Sequence, residues 1–273
     1  MDQTSELRTL YLDMVQRCII NTIYEDPNQG HWSPHVFDEK LRALGRDWPS
    51  KAHSMIGTLR MSNLRQITEF VVANNIPGDF IETGVWRGGA CIMARAVFKA
   101  YGATDRRVWV ADSFCGLPEP NPIYAADAGD KHHTYQELAI SLEEVKANFA
   151  KYDLLDDQVG FLKGWFSETL PKAPIQNLAV LRLDGDMYES TMDGLLNLYD
   201  KVTPGGFVIV DDFGALQGCQ QAIMEFRGAR QIEDPMCNID GIGVYWRKSA
   251  IARSEVAAQP ASQVRSSVAI AGA

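Results

Sequence analysis

Short apolar runs alternate with helical stretches from residue 80 to residue 246, and this alternation restricts the chain to few folds. The apolar runs lie at 80–82, 108–111, 159–162, 178–183, 206–210 and 243–246, and helical stretches follow at 88–101, 142–152, 190–198 and 216–228. Strands and helices in repeated alternation predict a parallel sheet with helices on both faces. We therefore expect one α/β domain with a single doubly wound, Rossmann-like sheet.

The N-terminal part of the chain has a different pattern. Residues 5–24 carry apolar side chains at three- and four-residue spacing, which indicates an amphipathic helix. The stretch 25–53 mixes prolines, glycines and histidines with charged residues, and it predicts irregular structure. Ser62 is a suitable N-cap for a further helix that ends near Asn74.

These patterns divide the chain into three parts. An N-terminal helix with a lid and substrate segment covers 1–61, and the α/β domain covers 62–248. Residues 249–273 are rich in Ala, Ser and Gln without periodicity, which predicts a disordered tail. Within the domain, 115–140 contains three prolines, two glycines and four acidic residues, and a connection of this length is typical of an active-site lid.

Composition disfavours several partners. The chain has 26 Lys and Arg against 35 Asp and Glu, a net charge of −9, whereas nucleic acids and anionic membranes usually require a basic surface. Its five cysteines are scattered without a C-x-x-C pair, as expected for reduced thiols. No apolar run reaches the length of about 18 residues that a membrane span needs. Acidic Asp2 and Glu6 are unlike a signal peptide, and we expect a cytoplasmic protein.

A glycine-rich turn follows the first strand, with the pattern E-x-G-x-x-x-G-G from Glu82 to Gly89. Glycines here let the backbone approach a ligand, and the dinucleotide fingerprint G-x-G-x-x-G is absent. Asp112 ends the second strand, where its carboxylate could accept both hydroxyls of a ribose. Alternatively, the glycines serve close packing and Asp112 caps a turn. Together the two features are typical of S-adenosylmethionine binding.

The third strand is followed by two adjacent aromatic residues, Trp165 and Phe166. In this position they could form a wall against an adenine ring. The alternative is that both side chains belong to the hydrophobic core.

Four aspartates follow the next two strands: Asp184 and Asp186 after the fourth, Asp211 and Asp212 after the fifth. Since the fourth and fifth strands are one crossover apart, we expect them to be neighbours and the carboxylates to converge. Carboxylates packed together repel unless a cation lies between them, and oxygen ligands favour Mg²⁺. Helix capping is the alternative role. The five histidines, including His132 and His133 in the 115–140 loop, show no metal-ligand spacing.

Several of these stretches occur in order in a known family: S-M-I-G at 54–57, I-E-T-G-V-W-R-G-G at 81–89, D-S-F at 112–114, G-L-P at 116–118, L-D-G-D-M-Y-E-S-T at 183–191 and G-G-F-V-I-V-D-D at 205–212. In these motifs the chain resembles the macrocin O-methyltransferase (TylF) family over about residues 5–248. Members are class I S-adenosylmethionine-dependent methyltransferases that methylate sugar hydroxyls of antibiotics.

The resemblance implies roles for individual residues. Asp184, Asp211 and Asp212 would bind Mg²⁺, and Asp186 would be the general base. Residues expected to bind the cofactor are Met55, Ile56, Thr58, Glu82, Thr83, Gly84, Val85, Trp86, Asp112, Ser113, Trp165, Phe166 and Asp184. The acceptor would be a small-molecule glycoside, and the resemblance favours a homo-oligomer.

Three other functions are compatible with parts of the pattern. A Mg²⁺-dependent enzyme that methylates a catechol-like molecule would use the same carboxylates. The D-x-D at 184–186 also occurs in metal-dependent glycosyltransferases, although the glycine turn argues against this class. A non-catalytic interaction module is the third alternative, and the presence of all four aspartates disfavours it.

Overall fold

The structure is a computed structural model that describes residues 3–30 and 34–249. Within these residues, seven strands form one sheet with the order β3-β2-β1-β4-β5-β7-β6. The strands are β1 (Asp79–Thr83), β2 (Val108–Asp112), β3 (Val159–Lys163), β4 (Leu178–Leu183), β5 (Val202–Val210), β6 (Cys237–Asn238) and β7 (Val244–Arg247). The predicted doubly wound α/β sheet is confirmed, and β4 and β5 are neighbours as expected.

The prediction of an entirely parallel sheet is wrong at one edge. Strands β1 to β5 pair in parallel, but β7 is antiparallel to β5 and β6 is antiparallel to β7. A short turn joins β6 to β7, and so short a connection permits only antiparallel pairing. The sequence pattern did not reveal this direction because a buried strand has the same apolar character either way.

Helices cover both faces of the sheet. They are α1 (Gln3–Ile19), α2 (Glu39–Ala43), α3 (Gly57–Ala73), α4 (Gly89–Ala100), α5 (Leu142–Lys151), α6 (Phe166–Thr169), α7 (Tyr188–Leu198) and α8 (Gln217–Ala229). Alternate side chains of each strand enter separate cores, so Phe80 packs on the side of α1, α3 and α4 and Ile81 on the side of α7 and α8. Among the described residues, no helix is both long and apolar enough to cross a membrane.

Helix α3 begins five residues earlier than predicted, at Gly57, and Ser62 does not cap it. The Ser62 hydroxyl instead accepts a hydrogen bond from the Gln16 side chain. A close backbone contact with the N-terminal segment fixes the start of the helix: Gly57 has φ +74°, and a Cβ there would lie 2.3 Å from the Gly45 nitrogen. No sequence pattern for capping describes such a contact.

The predicted irregular segment at 25–53 contains α2 and is packed around a buried arginine. Arg42 is fully buried and pairs with Asp26 at 3.0 Å and with Asp47 at 2.8 Å. Asp26 also accepts hydrogen bonds from the Lys51 and Ala52 amides. These buried bonds fix a stretch that has little regular secondary structure.

The predicted lid, residues 115–140, runs from β2 to α5 through 3-10 helices at Ala125–Asp127, His132–Thr134 and Gln136–Leu138. The predicted disordered tail at 249–273 lies beyond the described residues from position 250 onward.

Candidate active site

A cavity of about 520 Å³ opens at the carboxyl ends of the central parallel strands. This is where ligands bind in doubly wound α/β folds. Of the predicted site residues, those that line it are Met55, Ile56, Glu82, Gly84, Val85, Trp86, Asp112, Ser113, Trp165, Phe166, Asp184, Asp186, Asp211 and Asp212. Thr58 and Thr83 are not part of its lining, and Thr83 is buried.

The glycine turn after β1 lies directly against the end of β4. Gly84 has φ +85°, and a Cβ there would approach the Asp184 carbonyl oxygen to 1.9 Å, so only glycine fits. The Asp112 carboxylate accepts hydrogen bonds from the Val85 amide at 2.8 Å and the Phe114 amide at 2.7 Å. Asp112 therefore braces the turn while it also lines the cavity, and burial raises its pKa.

A buried arginine that is not among the predicted site residues connects the acidic residues. Arg182 lies in β4 opposite Glu82 of β1 and forms ion pairs with Glu82, Asp184 and Asp211. Burial raises the pKa of Glu82 to about 7, although the positive charge of Arg182 opposes this rise. The sequence does indicate Arg182 in one way, because it is a single charged side chain within the apolar run of β4.

A second arginine reaches the same acidic residues from α3. Arg60 pairs with Asp211 and, at 3.0 Å, with Asp240. Its side chain is 6% exposed. Nothing in the local sequence of α3 signals this role, because both partners lie far away along the chain.

Three of the predicted carboxylates form a compact cluster. Oxygen atoms of Asp184, Asp186 and Asp212 all lie within 4.8 Å of one another. Burial and the charge of Asp184 raise the pKa of Asp186 to about 7, and burial and the charge of Asp186 raise the pKa of Asp212 well above its usual range. No donor from the described residues reaches the buried Asp212 Oδ2 atom. The donor set and this unsatisfied oxygen fit a divalent cation.

Asp211 lies outside this cluster, although the resemblance groups it with Asp184 and Asp212. Its two carboxylate oxygens accept hydrogen bonds from Arg182 and Arg60, and the side chain is 5% exposed. The structure places Asp186 beside Asp184 and Asp212 instead. Each oxygen of Asp211 retains a second lone pair, so the ion pairs leave it able to accept another ligand.

The aromatic residues after β3 lie beside the acidic turn. Trp165 precedes α6 and is 38% exposed, while Phe166 is partly buried. A Cβ on Gly185 would lie 3.2 Å from the Phe166 ring, which shows how closely this ring packs on the turn between Asp184 and Asp186. Phe166 therefore contributes to both the core and the cavity wall.

The lid is anchored at the helix that follows the acidic turn. No side chain of its own caps the start of α7, but the Asp127 carboxylate of the lid accepts hydrogen bonds from the Tyr188 and Glu189 amides, at 2.6 and 3.1 Å. Asp127 is 4% exposed. At the other end of the lid, the Trp86 indole donates a hydrogen bond to the Glu137 carbonyl at 2.8 Å. The segment 115–140 is thus held at two points and lines the cavity between them.

Comparison with known proteins identifies the group to which this fold and cavity belong. A family model described as Macrocin-O-methyltransferase (TylF) matches residues 8–248. The demethyldecarbamoylnovobiocin O-methyltransferase of Streptomyces niveus is 50% identical over 254 residues, 90% of this chain and 96% of that protein. The 8-demethyl-8-(2,3-dimethoxy-alpha-L-rhamnosyl)-tetracenomycin-C 4'-O-methyltransferase of Streptomyces olivaceus is 50% identical over 262 residues, 95% of this chain and 99% of that protein.

A solved structure gives the same result. The O-methyltransferase NovP matches with a TM-score of 0.86 and 51% identity, over 89% of this chain and 100% of that chain. The extent of these matches decides against a glycosyltransferase and against a non-catalytic module. The chain is an O-methyltransferase, and it belongs to the macrocin O-methyltransferase (TylF) family.

Proposed function

We propose that this enzyme transfers a methyl group from S-adenosylmethionine to a sugar hydroxyl of a glycosylated natural product, with Mg²⁺ as the metal. The observation that carries the proposal is that one cavity contains both the glycine turn braced by Asp112 and the carboxylate cluster. The substrate named for the Streptomyces olivaceus relative contains a rhamnosyl group, and this supports a sugar as the acceptor. The assembly of this chain into a homo-oligomer remains a prediction.

In this proposal the cofactor occupies the half of the cavity between β1, β2 and β3. Gly84 lets the cofactor approach the backbone closely, and Glu82 lies at the methionine end. Asp112 and Ser113 bind the ribose. The Oδ2 atom of Asp112 keeps a free lone pair after its bond to the Val85 amide, whereas Oδ1 accepts hydrogen bonds from both the Phe114 amide and the Ser113 hydroxyl. Trp165 and Phe166 form the wall for the adenine.

The metal in this proposal is bound by Asp184, Asp211 and Asp212, and Asp186 removes the proton of the acceptor hydroxyl. An alkyl hydroxyl is a poor nucleophile at neutral pH, and Mg²⁺ when bound stabilises the developing alkoxide. A pKa of about 7 suits Asp186 to accept a proton near neutral pH. The cavity holds the hydroxyl in line with the methyl group, and the lid excludes water.

Calorimetric titration of S-adenosylmethionine tests the cofactor pocket. We expect the wild-type protein to bind the cofactor and Asp112→Ala to weaken the affinity by about 10- to 100-fold, because charged hydrogen bonds to the ribose are lost and the turn is no longer braced. Asp105→Ala removes a carboxylate from the exposed surface and serves as the control with unchanged affinity. Absence of binding to the folded wild-type protein would overturn the proposed function.

The pKa of Asp186 gives Mg²⁺ binding a predicted pH dependence. Without metal, deprotonation of Asp186 in the folded protein creates repulsion with its neighbours, so stability falls as pH rises from about 4 through 7. Protons compete with the cation below about pH 7, where the Asp186 carboxyl of the folded protein is protonated. We therefore expect Mg²⁺ to raise the Tm more at pH 8 than at pH 5.5, as measured by thermal unfolding at constant ionic strength.

Two variants sharpen this metal test. Asp212→Asn and Asp211→Asn should each reduce the Tm increase caused by Mg²⁺ at pH 8, because each removes an anionic ligand. If only Asp212→Asn reduces the increase, Asp211 serves the two arginines alone and is not a metal ligand. An equal Tm increase at both pH values in the wild-type protein would contradict the role of the carboxylate cluster.

A further inference from the structure

A histidine in the lid faces the cavity with its ring held by a carboxylate. His132 lines the cavity, and its Nδ1 atom lies 2.7 Å from Asp130 Oδ2. The other oxygen of Asp130 accepts a hydrogen bond from the His132 amide at 2.7 Å. Because a carboxylate only accepts hydrogen bonds, Nδ1 carries the proton of the neutral ring. Nε2 then presents a lone pair, and no hydrogen bond from the described residues reaches it.

Aromatic contacts fix the plane of this ring. The Tyr135 ring lies edge-on to His132, with centroids 5.6 Å apart, and edge-on to Trp48 at the same centroid distance. Trp48 belongs to the N-terminal segment, where its amide donates a hydrogen bond to Asn28 at 2.8 Å. Trp48 also lines the cavity, so the three rings join both segments that cover it. A ring held on two sides has a defined direction for its free nitrogen.

The position of His132 places it with the acceptor rather than with the cofactor. The amide of Asp130, which orients the ring, donates a hydrogen bond to the Asp127 carbonyl at 3.1 Å. Asp127 in turn accepts hydrogen bonds from the Tyr188 and Glu189 amides, directly after the turn that contains Asp186. Asn121 and Glu189 also line the cavity and are hydrogen-bonded to each other at 3.2 Å, and Glu189 lies three residues after Asp186. Polar groups therefore converge around the site where the hydroxyl would be methylated.

We propose that His132, oriented by Asp130, accepts at Nε2 a hydrogen bond from a second hydroxyl of the acceptor sugar and so determines which hydroxyl reaches Asp186. This inference rests on the proposed function, since it requires a sugar acceptor. A site built to bind a hydroxyl discriminates strongly against an analogue that lacks it, because its polar atom is left without a partner. His132 thus selects polyhydroxylated acceptors over flat phenols.

The test combines a variant with acceptor analogues. Steady-state kinetics on the full-length enzyme would use a glycoside substrate and its monodeoxy analogues, each lacking one hydroxyl. We expect His132→Phe to lower kcat/KM for the intact glycoside by about 10- to 100-fold. For one monodeoxy analogue, the kcat/KM of the wild-type enzyme should be lower than for the intact glycoside by a similar factor. His132→Phe should cause no further decrease in kcat/KM for that analogue. The calorimetric affinity for S-adenosylmethionine should not change.

His133→Phe is the matched control, since it makes the same substitution one residue away in the lid, and we expect its kcat/KM within threefold of wild type. If His132→Phe lowers kcat/KM by the same factor for the intact glycoside and for every monodeoxy analogue, its role is structural and the inference is overturned. Unchanged kinetics in His132→Phe also overturn it while the proposed function stands. If the wild-type enzyme methylates no glycoside, the proposed function fails and this inference fails with it.

Discussion

Replacement of Asp186 by Asn is expected to lower kcat by about 10²- to 10⁴-fold, the usual contribution of a general base. The amide has nearly the same shape as the carboxylate but cannot accept the proton of the acceptor hydroxyl. Asp186 lies in the left-handed region, with φ +61°, and Asn tolerates this conformation as well as Asp does. The backbone of the acidic turn should therefore be preserved. The measurement is kcat at saturating acceptor and S-adenosylmethionine.

Two further measurements separate loss of the base from loss of the metal. The S-adenosylmethionine affinity of Asp186→Asn should remain within a few-fold of wild type, and Mg²⁺ should still raise its Tm. Asp212→Asn should lose both turnover and the Mg²⁺ effect. A kcat for Asp186→Asn within threefold of wild type would show that another group removes the proton.

Replacement of Arg182 by Met is expected to reduce the free energy of unfolding by about 3–5 kcal/mol, the usual effect of removing one partner from a buried ion pair. Met fills a similar volume but leaves Glu82, Asp184 and Asp211 without their shared cation. The loss should be smaller at pH 5.5 than at pH 8, because burial raises the pKa of Glu82 to about 7 and this carboxyl is therefore protonated at the lower pH. Urea denaturation at the two pH values measures both effects.

Arg230→Met is the matched control for this substitution. Arg230 pairs with Asp200 at the surface, where its side chain is 34% exposed. Such a pair contributes about 0–1 kcal/mol because solvent screens both charges. If Arg182→Met costs no more stability than Arg230→Met, the buried arginine does not hold the acidic residues together.

The positions of the ligand-facing turns could be predicted from sequence because they follow from local patterns. Glu82, Asp112 and Asp184 each lie at the end of an apolar run, and parallel strands bring such ends to one edge of the sheet. The neighbouring positions of β4 and β5 followed from a separation of one crossover. Neither inference required knowledge of side-chain packing.

The remaining features depend on contacts between distant parts of the chain. Arg182 meets Glu82 across 100 residues, and Arg60 meets Asp211 across 151 residues. The start of α3 at Gly57 is set by backbone contact with Gly45. The same limitation applies to the four aspartates that follow β4 and β5. The expected strand order predicts that their carboxylates converge, but it does not predict which of them face the arginines and which face each other.

Because Asp127 of the lid caps the start of α7, the state of the first helical amides depends on the position of the lid. If the predicted lid opens and Asp127 withdraws with it, the Tyr188 and Glu189 amides lose their acceptor and become available to solvent. Loss of a cap costs about 0.5–2 kcal/mol, so each opening carries this minimum energy. The rate of hydrogen exchange at these two amides therefore measures how often the lid opens. The same event frees the positive end of the helix dipole two residues from Asp186, so the electric field at the base depends on whether the lid is closed.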